Sequence, residues 1–320
     1  MVKALLPVAL LLLLGIGAGL LYIVRTIAHP VPHPYLVTPK TFPAFSARGL
    51  RVTEEQWDNS DGTQARGWLL RGAEGAPAVV LLHRYGADRS WLLNLGVKIN
   101  EATNYTILWP DLRGHGENPS VAQTTFGAQE TADVAAALSF LRQLKTSQPQ
   151  RPLVAERFGF FGVELGAYAA LAASTRAPES ATVRALVLDS VPASPDELLA
   201  NAIRDRLGFD NVLLNLFTRG AARIYFLGAY ANDSACDLAA QLGAQQRVLL
   251  LSGADAGTLR ASTRSLAECL PAPSAAGLHA DLPVTGFTAS SATGEQGETY
   301  DRLVIEFFST ALDEDVRPAR

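Results

Sequence analysis

The sequence predicts an α/β architecture: a mainly parallel sheet with helices on both faces, preceded by one apolar helix that lies outside the sheet. Three observations predict it. Short apolar runs alternate with longer helical stretches, the pattern of a parallel sheet built from crossover units. Several of these runs end in glycine-bearing turns, at HRYG (83–86), DLRGHG (111–116) and GVELG (162–166). Ahead of them all, Ala4 to Val24 is 21 residues without a charge.

Composition sets the outer limits. With 320 residues, 48% hydrophobic and 18% charged, and a net charge of -4, the chain has a globular composition and no basic excess with which to track nucleic-acid phosphates. The length accommodates one large domain and an appendage.

The appendage is N-terminal. Residues 1–25 read as a membrane anchor, because the uncharged stretch, bounded by Lys3 and Arg25, matches the roughly 20 helical residues that cross a bilayer. A cleavable signal has a shorter apolar region and a small-residue site, for which Thr26-Ile27-Ala28 is a poor candidate. Residues 26–49 carry Pro30, Pro32, Pro34, Pro39 and Pro43 and read as a semi-rigid stalk that holds the domain off the bilayer. A short amino-terminal tail favours a globular domain outside the cytoplasm, although flanking charges are nearly balanced.

The globular domain is assigned to 50–312, with 313–320 as a tail. Leu50 to Trp57 and Ala65 to Arg71 read as an opening antiparallel pair around Asn59-Ser60-Asp61-Gly62, and Gln129 to Leu144 as an amphipathic helix. A long insertion, about 192–246, has helical spacing at Leu198, Leu199, Ile203 and Leu207; it reads as a lid whose apolar side roofs a pocket.

The chemistry centres on Arg157 to Leu171, RFGFFGVELGAYAAL. An apolar run, a G-x-x-x-G turn and a small-residue helix are what a sharp strand-to-helix elbow needs, because only small neighbours let the two elements close on each other. Together with VVLLHRYG (79–86) and ILWPDLRGHG (107–116), this segment resembles the α/β-hydrolase superfamily, near its serine aminopeptidase and lipase-like branch, over roughly Leu50 to Leu312. The resemblance implies a hydrolase fold and a nucleophile at position 164. Glu164 stands there instead of serine.

The remaining triad positions depart from the pattern as well. The resemblance puts the acid in a G-x-x-D turn after the seventh strand, where the chain reads Gly253-Ala254-Asp255-Ala256. Ala256 takes the acid's place, Asp255 falls one residue early, and Asp189 at the end of the sixth strand is a second candidate. It puts the histidine before the last helix, where Ala289 stands. Of the five histidines, His29 and His33 belong to the linker, His83 and His115 to turns that use histidine structurally, and His279 to the start of the eighth strand. None is placed as a base.

A carboxylate at an elbow can attack carbon, but the resulting ester then needs a base to activate water. Glu164 therefore reads as a structural or ligand-binding carboxylate in a pocket that the resemblance lines with His83, Arg84, Tyr85, Glu164 and Leu165. Arg84, where the family has glycine, is of opposite charge and is expected to pair with Glu164 or to face solvent. Cys236 and Cys269 form a disulfide between insertion and core or remain two free thiols. Their spacing fits no metal site, and no cofactor is expected. The reading is a membrane-anchored, hydrolase-like pseudoenzyme that binds a partner protein or a small ligand. The alternative is a hydrolase of ester or amide bonds whose rearranged machinery uses Glu164.

Overall fold

Alternation along the strands sorts the apolar residues into two layers. In the run at 78–82, Ala78, Val80 and Leu82 belong to one buried cluster and Val79 and Leu81 to the other; Phe158 and Phe160 divide from Phe161 and Val163 in the same way. A strand that is apolar on both faces can only be an interior strand of a covered sheet. The computed structural model describes residues 2–38, 41, 52–117, 121, 123–147, 150–230, 232–287 and 295–313. In chain order its elements are α1 (Val2–Ala28), β1 (Val52–Asp58), β2 (Gln64–Leu70), β3 (Ala76–Leu82), α2 (Leu93–Thr103), β4 (Thr106–Pro110), α3 (Ala128–Gln143), β5 (Val154–Val163), α4 (Leu165–Arg176), β6 (Val183–Asp189), α5 (Pro195–Leu207), α6 (Val212–Tyr225), α7 (Ala235–Ala239), β7 (Arg247–Gly253), α8 (Thr258–Cys269), β8 (Ala275–Leu282) and α9 (Glu295–Asp313).

The sheet order is β1-β2-β4-β3-β5-β6-β7-β8, with β1 and β2 antiparallel and the strands from β4 onward parallel. The opening hairpin forms as its alternation predicts, closed by Gly62 N–H donating to Asn59 O at 3.0 Å with Gly62 at φ +79°. α2 and α9 cover one face of the sheet. α3, α4, α8 and the helices inserted between β6 and β7 cover the other.

The insertion is helical, as its spacing predicts, with Leu198, Leu199 and Ile203 buried. Leu207 departs from that reading: it ends α5 at a left-handed Gly208 cap and is 37% exposed. Cys236 in α7 and Cys269 at the end of α8 are joined in a disulfide that closes a separation of 33 residues.

The largest correction concerns the linker. Val24, Ile27 and Ala28, at the end of the apolar helix, are buried in the main core cluster, and α1 packs on α5 and α6. Beyond it the chain wraps the domain instead of standing away from it. The Tyr35 hydroxyl donates to Asp111 at 2.5 Å, its ring meets Trp68 edge-on at 5.2 Å, and Leu36 N–H reaches Ser90 Oγ at 3.1 Å. Proline stiffens a segment without keeping it off a surface, and apolar residues between the prolines supply the contacts. Pro39 and Pro43, like Leu50, lie outside the described residues.

Candidate functional site

The site is built where β3, β5 and β6 end. At the tip of β5 the chain turns through Glu164, whose φ of 50° and ψ of -105° are strained for a residue with a side chain. The flanking glycines are obligatory. A Cβ on Gly162 would lie 2.4 Å from Gly166 O, and one on Gly166 would lie 2.4 Å from Leu82 O. The turn is fastened by Glu164 N–H to Asp189 O at 2.9 Å and by Tyr168 N–H to Glu164 O at 3.0 Å.

Glu164 is 4% exposed, and its carboxylate accepts the backbone N–H of Tyr85, in the turn after β3, at 3.2 Å. Burial raises its pKa to about 7, against the opposing pull of Arg84 and of the Tyr85 N–H; Asp205 and Glu197 of the insertion push in the same direction as burial.

The turns beside it are held by histidines. His83 Nδ1 donates to Arg84 O at 2.8 Å while Nε2 accepts Leu112 N–H at 3.0 Å; His115 Nδ1 donates to Arg113 O at 2.9 Å while Nε2 accepts Gly86 N–H at 3.0 Å. Both rings are buried, which lowers each pKa to about 4, so both are neutral with no ring nitrogen to spare. Asp111 and Arg113 anchor the same turn. Asp111 accepts Arg89 N–H at 3.0 Å, and Arg113 grips Asp133 through Nε at 2.7 Å and Nη2 at 2.5 Å.

Strand order, the elbow at the tip of β5 and the glycine turn after β3 form one arrangement. It is similar to that of an esterase from Pyrococcus furiosus, with a TM-score of 0.63 and 18% identity over 89% of this chain and 98% of that one. A dienelactone hydrolase from Anabaena variabilis gives a TM-score of 0.56 and 16% identity over 82% of this chain and 99% of that one, and a thermophilic esterase from Thermogutta terrifontis 0.53 and 16% over 81% and 99%. The chain has the α/β-hydrolase fold. Neither a protein-family model nor a curated protein matches the sequence.

In the hydrolase fold an elbow residue is served by backbone N–H groups, one from the following residue and one from the turn after the third strand, which hold a developing oxyanion. Here the Tyr85 N–H of that turn is taken by Glu164 itself. Leu165, first in α4, is completely buried.

The candidate acids part company. Asp255 is exposed in the turn after β7, beside a buried Ala256 whose N–H closes the turn to Gly253 O at 3.3 Å. Asp189 is completely buried and accepts the Tyr300 hydroxyl at 2.7 Å, the Ser190 hydroxyl at 2.8 Å and the backbone N–H groups of Gly286 and Phe287. Burial nonetheless raises its pKa to about 6. Its partners fasten the loop between β8 and α9 to the sheet. Ala289, in that loop, lies outside the described residues.

All five histidines lie among the described residues, and only His83 and His115 stand in the turns beside the elbow. His279 is within β8 opposite Leu251, on the exposed edge of the sheet, further along the strand than the sequence suggests. Among the described residues no cluster of three or more His, Cys, Asp or Glu could hold a metal.

The expected Arg84–Glu164 ion pair is not formed. The Arg84 guanidinium carbon lies 4.9 Å from the Trp91 ring centroid and 5.3 Å from that of Phe287, and its Nε is buried without a hydrogen-bond partner. Two aromatic faces attract the cation away from the elbow, so it acts on Glu164 through space only. Sequence reading missed Trp91, Phe287 and Tyr300. Pairing of a ring with a distant cation leaves no periodic trace, and Tyr300 looks like one more apolar position on the inward stripe of α9.

Proposed function

We propose that the protein is a hydrolase-fold pseudoenzyme, anchored in a membrane by its N-terminal helix, that binds a partner protein or small ligand at the elbow in place of hydrolysis. The observation that carries this reading is the Tyr85 N–H donating to the Glu164 carboxylate. The elbow side chain fills one donor of the place an oxyanion would need, while both nearby histidines spend both ring nitrogens on the backbone. Nucleophile and base act as a unit, so loss of either removes several orders of magnitude in rate. Glu164, Ala256 and Ala289 are then the vestiges of the triad, and α5 to α7 form the lid over the ligand. The helix Leu6–Ala28 is long and apolar enough to cross a membrane. The Cys236–Cys269 disulfide supports an oxidising compartment, and with it a domain outside the cytoplasm.

One observation favours a second reading, a hydrolase in which Glu164 orients water. Burial holds its pKa at about 7, where a general base works best at neutral pH. The test is turnover of p-nitrophenyl acetate and butyrate by the full-length protein in detergent. The pseudoenzyme shows no rate above buffer, and Glu164→Ser adds none because no base is present. Turnover that vanishes in Glu164→Ala establishes the second reading.

A further inference from the structure

We infer that the outer face of α6 is a membrane-docking surface, immersed in the lipid leaflet beside the N-terminal helix, so that the domain sits on the bilayer; the inference rests on the anchor reading above. Val212, Leu213, Leu216, Phe217 and Ile224 recur at helical spacing along α6 and are between 57 and 82% exposed, and Leu227 just beyond is 90% exposed. The opposite face of the helix is committed to the protein: Thr218, Ala221 and Ala222 are buried, and Leu214 and Tyr225 pack on the main core.

The occupant follows from where α1 touches α6. Residues 6–16 of α1 are all exposed, with the interior contacts beginning at Leu20 and Ile23 and closing with Val24, Ile27 and Ala28. The fourteen helical residues from 6 to 19 that precede those contacts extend only about 21 Å, roughly two thirds of the hydrocarbon thickness. The uncharged stretch reaches the rest of the way only if it runs to Val24, just before Arg25. Leu20 to Val24 is therefore in the bilayer and against the insertion at once. Five residues amount to about 7 Å of helix, within the depth of about 5–10 Å at which an interfacial amphipathic helix lies. Exposed Arg206 and Arg223, on α5 and α6, supply the cationic groups that such helices direct to lipid headgroups.

The site shares this boundary. The Tyr85 hydroxyl donates to Ile27 O at 2.6 Å, and the backbone N–H of the same residue donates to Glu164, so one residue joins the end of the anchor to the elbow.

The test uses the full-length protein in phosphatidylcholine vesicles whose acyl chains are either unmodified or brominated. Emission added by Phe217→Trp is expected to fall at least about twofold in the brominated vesicles, whereas emission added by Glu74→Trp, on an exposed loop at the other end of the sheet, is unchanged. Val212→Trp, 82% exposed on the same face, repeats the measurement where no buried contact is disturbed. Protein that resists a carbonate wash while neither α6 probe is quenched leaves the anchor standing and overturns the docking surface. Release by carbonate overturns both. An unquenched probe whose emission shifts to the blue with protein concentration shows a second copy covering the face, which also overturns the inference.

Discussion

Glu164 and Tyr85 are joined by a 3.2 Å hydrogen bond from the Tyr85 backbone to the Glu164 carboxylate, across the two turns that in an active hydrolase would face a substrate carbonyl. The bond keeps a carboxyl group in a dry position. It also makes that group's protonation a measurable property of the fold.

Glu164 is expected to make stability fall as pH rises. With its folded pKa lifted from 4.5 to about 7, the folded state holds a proton that the unfolded state has lost between those values, so the group's unfavourable contribution is absent at low pH and complete above about 7. The shift corresponds to about 3 kcal/mol. His83 and His115, with lowered pKa values, act in the opposite sense between about 4 and 6.5. Subtracting the urea-denaturation profile of Glu164→Gln from that of the wild type cancels the histidines and leaves the Glu164 slope.

Arg84→Met is expected to move the Glu164 titration above 7, because the guanidinium is the principal influence opposing burial. Carboxyl carbon chemical shifts of labelled glutamate against pH report it. An unchanged midpoint would mean that the cation stacked on Trp91 and Phe287 is too far away or too well screened to act.

Tyr300→Phe is expected to destabilise the domain by about 1–3 kcal/mol, since it strips a hydroxyl from a completely buried Asp189 and leaves the acceptor short of a partner. Denaturant midpoints measure it. Asp189→Asn in the same background should recover part of the loss by removing the charge.

Mass analysis without reductant is expected to find one disulfide and no free thiol. Breaking it with Cys236→Ser and Cys269→Ser together should cost roughly 3–4 kcal/mol, the loop-closure value for a separation of 33 residues.

A chain starting at residue 50 is expected to be markedly less stable than one starting near residue 17, although the sequence sets 26–49 apart from the globular domain as a stalk. The shorter chain loses buried Val24 and Ile27, each contributing about 1.5–3 kcal/mol, and the Tyr35 contacts to Asp111 and Trp68. Thermal denaturation of the two chains compares them directly.

What the sequence disclosed and what it withheld divide along physical lines. The ends of β3, β4 and β5 were legible because apolar runs meeting glycine turns are local signals, and the need for glycine at 162 and 166 follows from backbone contacts at the elbow itself. Leu198 and Ile203 were legible from helical spacing, whereas Leu207 obeys the same spacing but lies at the cap where α5 leaves the core. The packing of α1 was not legible. A helix apolar on every side carries no stripe to show which side meets protein, and proline-rich sequence describes stiffness without direction. Nor was the capture of Tyr85 N–H by Glu164: residue types place a carboxylate at the elbow, but only the fold decides whether it meets Arg84 or a backbone donor 79 positions away.

The burial of Val24, Ile27 and Ala28 against the insertion has a consequence for synthesis. These residues precede α6, on which α1 closes, by almost two hundred positions. Contacts of such sequence separation form late and slowly. During translation the elbow strand and the other strands that precede α6 can pair while the core remains open on one side, until α6 emerges and closes on α1. A membrane that holds α1 in place throughout would keep that open side facing a fixed partner, shortening the search and shielding the apolar surface from other chains.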